Sequence, residues 1–208
     1  SGLKYNINLN VSSYKNEVIA LVNDTPAFGD NFREGSITRT AVGEPISHFY
    51  GKPHDGLDSS GRLNFIDSNG DGVKNDSDRT IIGNPHPDFT FGLNTNFAYG
   101  NWDLSLFLNG SQGNDIYNWV KIYSEFPTFV HGGRVANVLN AWTPSNTNTD
   151  VPALSSGVQN AETAPNSYMV EDGSYIRLKS MQLGYNFPAV GMFDSMRAYV
   201  SATNLLTI

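Results

Sequence analysis

The chain of 208 residues carries 13 Lys and Arg against 20 Asp and Glu, a formal net charge of −7, and so lacks the basic face a nucleic-acid binder needs to neutralise phosphates. With no cysteine it can form no disulfide framework, zinc–thiolate site or thiol nucleophile, and the redox compartment stays open. Nowhere do about eighteen apolar residues run together, which excludes a transmembrane helix, whereas a transmembrane strand needs only about ten alternating residues and is not excluded.

The first ten residues, SGLKYNINLN, lack the charged and apolar regions of a signal peptide. Twenty Gly, ten Pro, 12 Phe and 10 Tyr, with few charges, favour strands and turns. The expected fold is all-β. Leu3, Tyr5, Ile7, Leu9 and Val11 alternate with Lys4, Asn6, Asn8, Asn10 and Ser12, a period of two that gives a strand one greasy and one wet face. Ser13–Asn16 reads as a tight turn and Glu17–Leu21 as the returning strand of a first hairpin.

From residue 22 to residue 87 the pattern breaks at Gly, Pro, Asn and Asp. A segment that long is expected to be an elaborated loop with structure of its own. Alternation resumes at Phe89, with Phe91, Leu93, Thr95, Phe97 and Tyr99 on one side and Thr90, Gly92, Asn94, Asn96 and Ala98 on the other. Gly100-Asn101 is a two-residue hairpin signal. Trp102, Leu104, Leu106 and Leu108 then alternate with Asp103, Ser105, Phe107 and Asn109. The aromatic residues gather near the strand ends, as interfacial girdles do. A second excursion runs from about residue 113 to residue 169, with Val135–Trp142 as its best helix candidate, ended by Thr143-Pro144. Tyr175–Phe187 is a strand whose alternation slips near Lys179-Ser180, the mark of a bulge. After a turn over 188–195, Met196–Leu206 returns as the last strand.

Three short turns thus alternate with two long excursions, which places all short turns on one edge and all long loops on the other. Outer-membrane barrels show that asymmetry, with short periplasmic turns and long extracellular loops. About six strands cannot close, because such barrels start at about eight. Residues 1–208 are therefore expected to be an internal or truncated part of one antiparallel up-and-down transmembrane β-barrel domain, with extracellular loops at about 22–87 and 113–169.

Two constellations could carry chemistry. In the loop from Asp67 to Asp78, side-chain oxygens of Asp67, Asn69, Asp71, Asn75 and Asp78 fall at positions 1, 3, 5, 9 and 12, Gly72 supplies the turn at position 6, and Val73 offers its carbonyl at position 7. Hard cations such as Ca²⁺ take oxygen ligands at this spacing. The flanking LNFI and TIIG look extended, so an EF-hand is not implied, and Asp78 in place of Glu shortens the reach of a bidentate ligand. The competing reading is an Asp/Asn/Gly turn that satisfies itself. In the second excursion Trp119, Tyr123, Phe126, Phe129 and Trp142 could stack on sugar rings, and of these Trp119, Tyr123 and Trp142 are the candidate substrate residues; the alternative is that they pack the loop's own core. His48, His54, His86 and His131 are scattered and read as loop residues. Glu125, Glu171 and Asp172 read as solvated charges, since no spacing sets two across a cleft. No catalytic residue is assigned and no enzyme activity is expected. Asn94, Asn96, Asp103, Ser105 and Asn109 would line either a transport path or a merely wetted wall.

Several phrases, in order, resemble the C-terminal barrel region of SusC/RagA-like TonB-dependent transporters: ISHFYG from Ile46, the DSNGDG loop followed by IGNPHPDF from Ile82, GNDIYN from Gly113, AWTP from Ala141 with NTDVP from Asn148, YIRLK from Tyr175, LGY from Leu183 and Asn204-Leu205. The resemblance implies a large outer-membrane barrel of a Gram-negative cell, set in lipid and energised by TonB through an N-terminal region that this sequence does not contain. It also implies a SusD-like lipoprotein partner and glycans, or in some members peptides, as substrate. A runner-up is a soluble secreted β-sandwich module that binds Ca²⁺ and carbohydrate, because strands with one wet face also fit a sandwich.

Overall fold

The computed structural model describes residues 2–31, 35–126, 133–154, 160–189, 191 and 195–208. The chain divides into two compact units: Ser1–Lys15, Pro87–Asn114 and Gly173–Ile208 form the first, and Asn16–His86 with Asp115–Asp172 form the second.

The first unit is one five-stranded sheet. Its strands are β1 (Lys4–Ser12), β2 (Phe89–Tyr99), β3 (Trp102–Gln112), β4 (Tyr175–Phe187) and β5 (Met196–Thr207). Each pairs antiparallel with the next in this order. Residues directly opposite in neighbouring strands share a face, so the register writes continuous rows across the sheet. One row is Leu9, Leu93, Leu108, Leu178 and Leu206, and another is Tyr5, Phe97, Leu104, Leu183 and Val200. On the opposite face lie Asn6, Asn96, Ser105, Gln182 and Ser201. The alternation of each strand is thus summed into an apolar and a polar surface.

The bulge expected near Lys179 is present. The register shifts between Leu178 and Ser180 in both ladders of β4, and Asn204 opposite it takes a positive φ of 52°, a conformation Asn tolerates better than most residues. Without the extra residue, everything after Leu178 would turn to the wrong face. With it, Leu178 and Met181 stand on the same apolar face although three positions apart. Two glycines admit neighbours. A Cβ on Gly110 would lie 2.3 Å from the Phe91 ring, and one on Gly184 would lie 2.6 Å from Asp103 Oδ2. Gly184 is where Arg197 crosses β4 on the polar face to reach Asp103 at 2.5 Å.

The first hairpin of the sequence reading is not formed. Glu17–Leu21 is not a strand, and β1 pairs instead with β2, so the sheet has five strands, not six. Alternation decides this. The polar and apolar positions of β1 match those of β2 pair by pair, whereas Val18-Ile19-Ala20-Leu21 is apolar throughout and offers no wet face. At Ser13, whose hydroxyl donates to Asp88 O at 2.7 Å, the chain leaves the sheet. Val18 N–H then donates to Glu44 O at 2.9 Å and Val18 O accepts from Gly43 N at 2.8 Å. The edge asymmetry survives. Both excursions leave and re-enter the sheet where Ser12 pairs Thr90 and Tyr175 pairs Ser111; the short turns lie where Tyr99 pairs Trp102 and Phe187 pairs Met196. At that turn edge Trp102, Tyr185 and Phe187 stack edge to face with centroids 4.8 Å apart.

The apolar face is not a core. Leu9 is 64 % and Val200 65 % exposed, and among the described residues the first unit contains no second sheet to cover them. A sandwich would need one.

The second unit holds the core, where Leu63, Ile122, Phe126, Tyr168 and Met169 pack together. Its strands are short: Ala27–Phe28, Thr38–Thr40, His48–Gly51 and Thr80–Gly83 form one sheet, His54–Leu57 pairs with Leu63–Phe65, and Asp115–Tyr117 pairs with Val170–Asp172. The two excursions interlock. Lys52 N–H donates to Pro165 O and Ser167 N–H to Lys52 O, both at 3.0 Å, and Gly51 lets them meet, since a Cβ there would lie 2.5 Å from Pro165 O. The helix expected over Val135–Trp142 is only a 3₁₀ segment, Ala136–Asn140. Five residues cannot meet the cost of nucleating an α-helix, and Trp142 N–H is drawn away to Val151 O at 2.9 Å.

Candidate functional site

All of the site lies in the second unit. The short helix Lys121–Ser124 buries Ile122 completely and turns Lys121 outward over Tyr168. Lys121 Nζ donates to Tyr168 O at 2.9 Å, lies 4.5 Å from the centre of its ring, and pairs with Glu171 at 2.9 Å. Beneath them Glu125, read from sequence as a solvated charge, is buried. Tyr168 Oη donates to one of its oxygens and Asn137 Nδ2 to the other at 3.0 Å, so the carboxylate keeps partners where water is excluded. Burial, reinforced by Glu125, pushes the Tyr168 hydroxyl far above its usual pKa. Burial works against the charge of Glu171 too, but donation from Lys121 and Asn118 wins and holds it below the usual carboxylate range.

The facing wall is the loop over 140–151. Thr149 Oγ1 and Asn146 Nδ2 donate to Asn140 O at 2.7 and 3.1 Å, and Thr143 and Asn146 exchange backbone hydrogen bonds of 3.1 and 2.9 Å. Between the helix and this loop opens a cavity of about 470 Å³, lined among others by Lys121, Asn140, Asn148, Thr149, Asp150 and Tyr168. His54 sits to one side, its Nδ1 2.6 Å from Ser167 Oγ; burial and then the Lys121 charge lower its pKa.

None of the three expected substrate residues lines this cavity. Trp119 is half-buried against the core, 6.1 Å from the Tyr117 ring. Trp142 lies against Gly61, where an added Cβ would come 2.6 Å from the indole. Tyr123 alone is exposed. Phe126 is buried in the core, while Phe129 and His131 fall outside the described residues. His48 and His54 lie in strands; His48 is fully buried, with Nδ1 2.9 Å from Pro45 O. The amides of the cavity were missed because Asn in a turn is read as turn chemistry. The phrase Asn148–Pro152 carries only a resemblance.

The oxygen-rich loop is closed by its own backbone. Asp67 accepts from the N–H groups of Gly70 (2.7 Å), Asp71 (3.2 Å) and Gly72 (2.8 Å). Asn69 accepts from Asp71 N and Asp71 from Val73 N, at 2.9 and 2.8 Å. Asp78 is 1 % exposed and accepts from Asn75, Ser68 and Asn69, which holds its carboxyl below the usual range, the Asn75 bond contributing most. Asn75 in turn caps Ser77 at 2.7 Å. Ionised carboxylates and amide oxygens keep acceptor capacity beyond these bonds, so the donor set suits a hard cation in kind and order. Among the described residues, however, no three His, Asp or Glu side chains converge as a metal-holding group.

On the polar face of the first unit's sheet, Asn94, Asn96, Asp103, Ser105 and Asn109 share one surface as expected, with Ser105 Oγ donating to Asn96 Oδ1 at 2.8 Å.

No family model matches the chain. It is 36 % identical over 223 residues to TonB-dependent receptor P3 and 34 % over 219 to TonB-dependent receptor P26, both of Formosa agariphila. Each match covers 95 % of this chain and 22 % of the relative. The TonB-dependent receptor SusC of Bacteroides thetaiotaomicron is 27 % identical over 202 residues, 89 % of this chain and 18 % of SusC. The fold is similar to that of the RagAB peptide transporter, with a TM-score of 0.78 and 22 % identity over 99 % of this chain and 24 % of that one. The chain spans about a fifth of the length of the curated relatives it matches. Sequence and fold agree with the motifs noted at the outset: the chain belongs to the SusC/RagA-like TonB-dependent receptors.

Proposed function

We propose that the chain is C-terminal wall and loop material of an outer-membrane, TonB-dependent importer that takes up oligosaccharides together with a SusD-like lipoprotein. The observation that carries this reading is the two-faced sheet, with an exposed apolar surface suited to lipid, a polar surface suited to a lumen, and both elaborated excursions at one edge. The sheet edge from which both excursions leave is then the outer one, on the side of the lipoprotein, and the Gly100-Asn101 turn lies on the periplasmic edge. The work is binding and passage, with no catalytic step. Peptides are the competing cargo, since the RagAB relatives are described as peptide importers.

Residues 1–208 contain no cysteine, so cysteines introduced here, in a full-length protein whose cysteines elsewhere are replaced by serine, test the sidedness. A membrane-impermeant maleimide should label Asn148→Cys on intact cells and Asn101→Cys only after lysis. Labelling of both from outside, or recovery of the protein in the soluble fraction, would remove the importer reading.

We further propose that Asp67, Asn69, Asp71, Val73, Asn75 and Asp78 hold a structural Ca²⁺ that braces the first excursion. Support comes from the oxygen donor set in loop order and from the backbone bonds that already shape the loop. Calorimetry on the folded full-length protein should give one Ca²⁺ site that Asp71→Ala abolishes; no heat on Ca²⁺ addition would sink this assignment.

A further inference from the structure

We infer that the cavity between the Lys121–Ser124 helix and the 140–151 loop is a binding site for a neutral, hydroxyl-rich ligand, a sugar residue of an oligosaccharide. This rests on the importer reading and gives its cargo a place on this chain. The first support is a hydrogen-bond census. Thr149 Oγ1 and Asn146 Nδ2 are spent bracing Asn140 O. Among the described residues, the side chains of Asn140, Asn148 and Asp150, which line the same cavity, have no hydrogen-bond partner. A primary amide both donates and accepts, and a carboxylate accepts at two oxygens. Sugar hydroxyls, which donate and accept, complement that combination.

The second support is charge. Lys121 is already taken by Glu171 at 2.9 Å and by Tyr168 O, so no free cation lines the cavity among the described residues. A ligand carboxylate or phosphate would meet Asp150 with nothing to neutralise it. A peptide C-terminus is disfavoured for the same reason. The third support is preorganisation. The floor is fixed by buried Glu125 between Tyr168 and Asn137, and the wall by the cross-loop bonds of Asn146 and Thr149, so little ordering remains to be done on binding. A volume of about 470 Å³ falls within the usual range of small-ligand sites, about 300–1,000 Å³.

The experiment uses the full-length protein in detergent. A glycan array identifies a bound oligosaccharide, calorimetry measures it against Asn148→Ala, Asp150→Ala and the control Glu17→Ala, at an exposed residue that does not line the cavity, and hydrogen exchange locates it. Trialanine serves as the peptide probe. Asn148 and Asp150 are exposed, so their variants should fold. The expected result is that each weakens binding about tenfold, the scale of one lost hydrogen bond, that Glu17→Ala does not, and that the amides over 136–151 gain protection. Oligosaccharide binding and uptake with both loop variants unaffected and no protection there would overturn the site while leaving the importer reading intact. Protection by trialanine but by no sugar would overturn the ligand class. Failure of every glycan to bind or be taken up would remove the oligosaccharide importer and this site with it.

Discussion

The two units are stabilised in opposite ways. In the five-stranded sheet the leucine row from Leu9 to Leu206 is exposed at its two ends and half-buried at Leu93, Leu108 and Leu178, and the strands are held by backbone ladders whose apolar face must be satisfied from outside the unit. In the second unit the strands are two to four residues long, and the fold depends on Ile122 and Met169, both fully buried, together with buried polar groups such as His48, Glu125 and Asn166. One region borrows its solvent; the other makes its own. A substitution should therefore reveal its region by what it disturbs.

The largest contrast should come from the small core. Ile122→Ala removes a side chain with no exposure and should destabilise the second unit by about 2–5 kcal/mol. Hydrogen exchange should rise over 115–125 and 163–172 while the amides of β2 and β3 stay protected. Equal loss of protection in both units would show that they do not differ in the way described.

Next is a charge on the apolar face. Leu108→Arg, in the middle of the leucine row, should cost about 2–4 kcal/mol if that face meets lipid at mid-bilayer, read as urea unfolding in lipid vesicles. A soluble sheet would tolerate it nearly freely, and that result would undo the contrast between the units.

A smaller effect tests the polar part of the core. Tyr168→Phe removes the hydroxyl that donates to Glu125 and leaves a buried carboxylate short of a partner, at a cost of about 1–3 kcal/mol. The Tyr168→Phe, Glu125→Gln double variant should recover part of that loss, because the buried charge is then gone.

The smallest is a pH effect. Glu44 is held below the usual carboxylate range chiefly by its hydrogen bond from Arg39, at 2.5 Å. A carboxyl lowered on folding lends stability above its unfolded pKa, about 4.3 for Glu, and loses it as pH falls through the folded value. Both groups are partly exposed, so screening keeps the contribution modest. Glu44→Gln should flatten the acid side of the stability profile of the second unit and leave neutral pH little changed; an unaltered acid limb would remove Glu44 from the account.

Much of the sheet was legible because a strand with one wet face announces itself by period-two alternation. Phe89–Tyr99 and Tyr175–Phe187 coincide with their strands, and the slip at Lys179 is a register shift. The first hairpin failed because a turn and a nearby apolar run satisfy local rules, while pairing is settled by matching two whole patterns, and β1 matches β2. In the second unit little was legible. Glu125 could not be placed as buried without knowing that Tyr168 and Asn137 would reach it, and the packing of Trp119 on the core and of Trp142 on Gly61 depends on partners far off in the sequence. The cavity amides carry no local pattern, because they line one cavity only once the 140–151 loop folds beside Lys121.

By itself, the sequence determined the all-β class, the two faces of the large sheet, the edge from which both excursions depart and the family, since each is carried by local alternation or by short ordered motifs. Tertiary structure alone decided the strand count, the partner of β1, the interlock of the excursions at Gly51 and Pro165, and the amide-lined cavity, whose lining does not include Trp119, Tyr123 or Trp142. The physical reason is range. Side-chain alternation is fixed by the geometry of one strand, whereas burial and hydrogen-bond satisfaction depend on groups that meet only after the chain has closed over a hundred residues. The loop from Asp67 to Asp78 spans the two cases: its oxygen spacing is written in twelve consecutive residues, and whether those oxygens serve a cation or the loop's own N–H groups is decided in three dimensions.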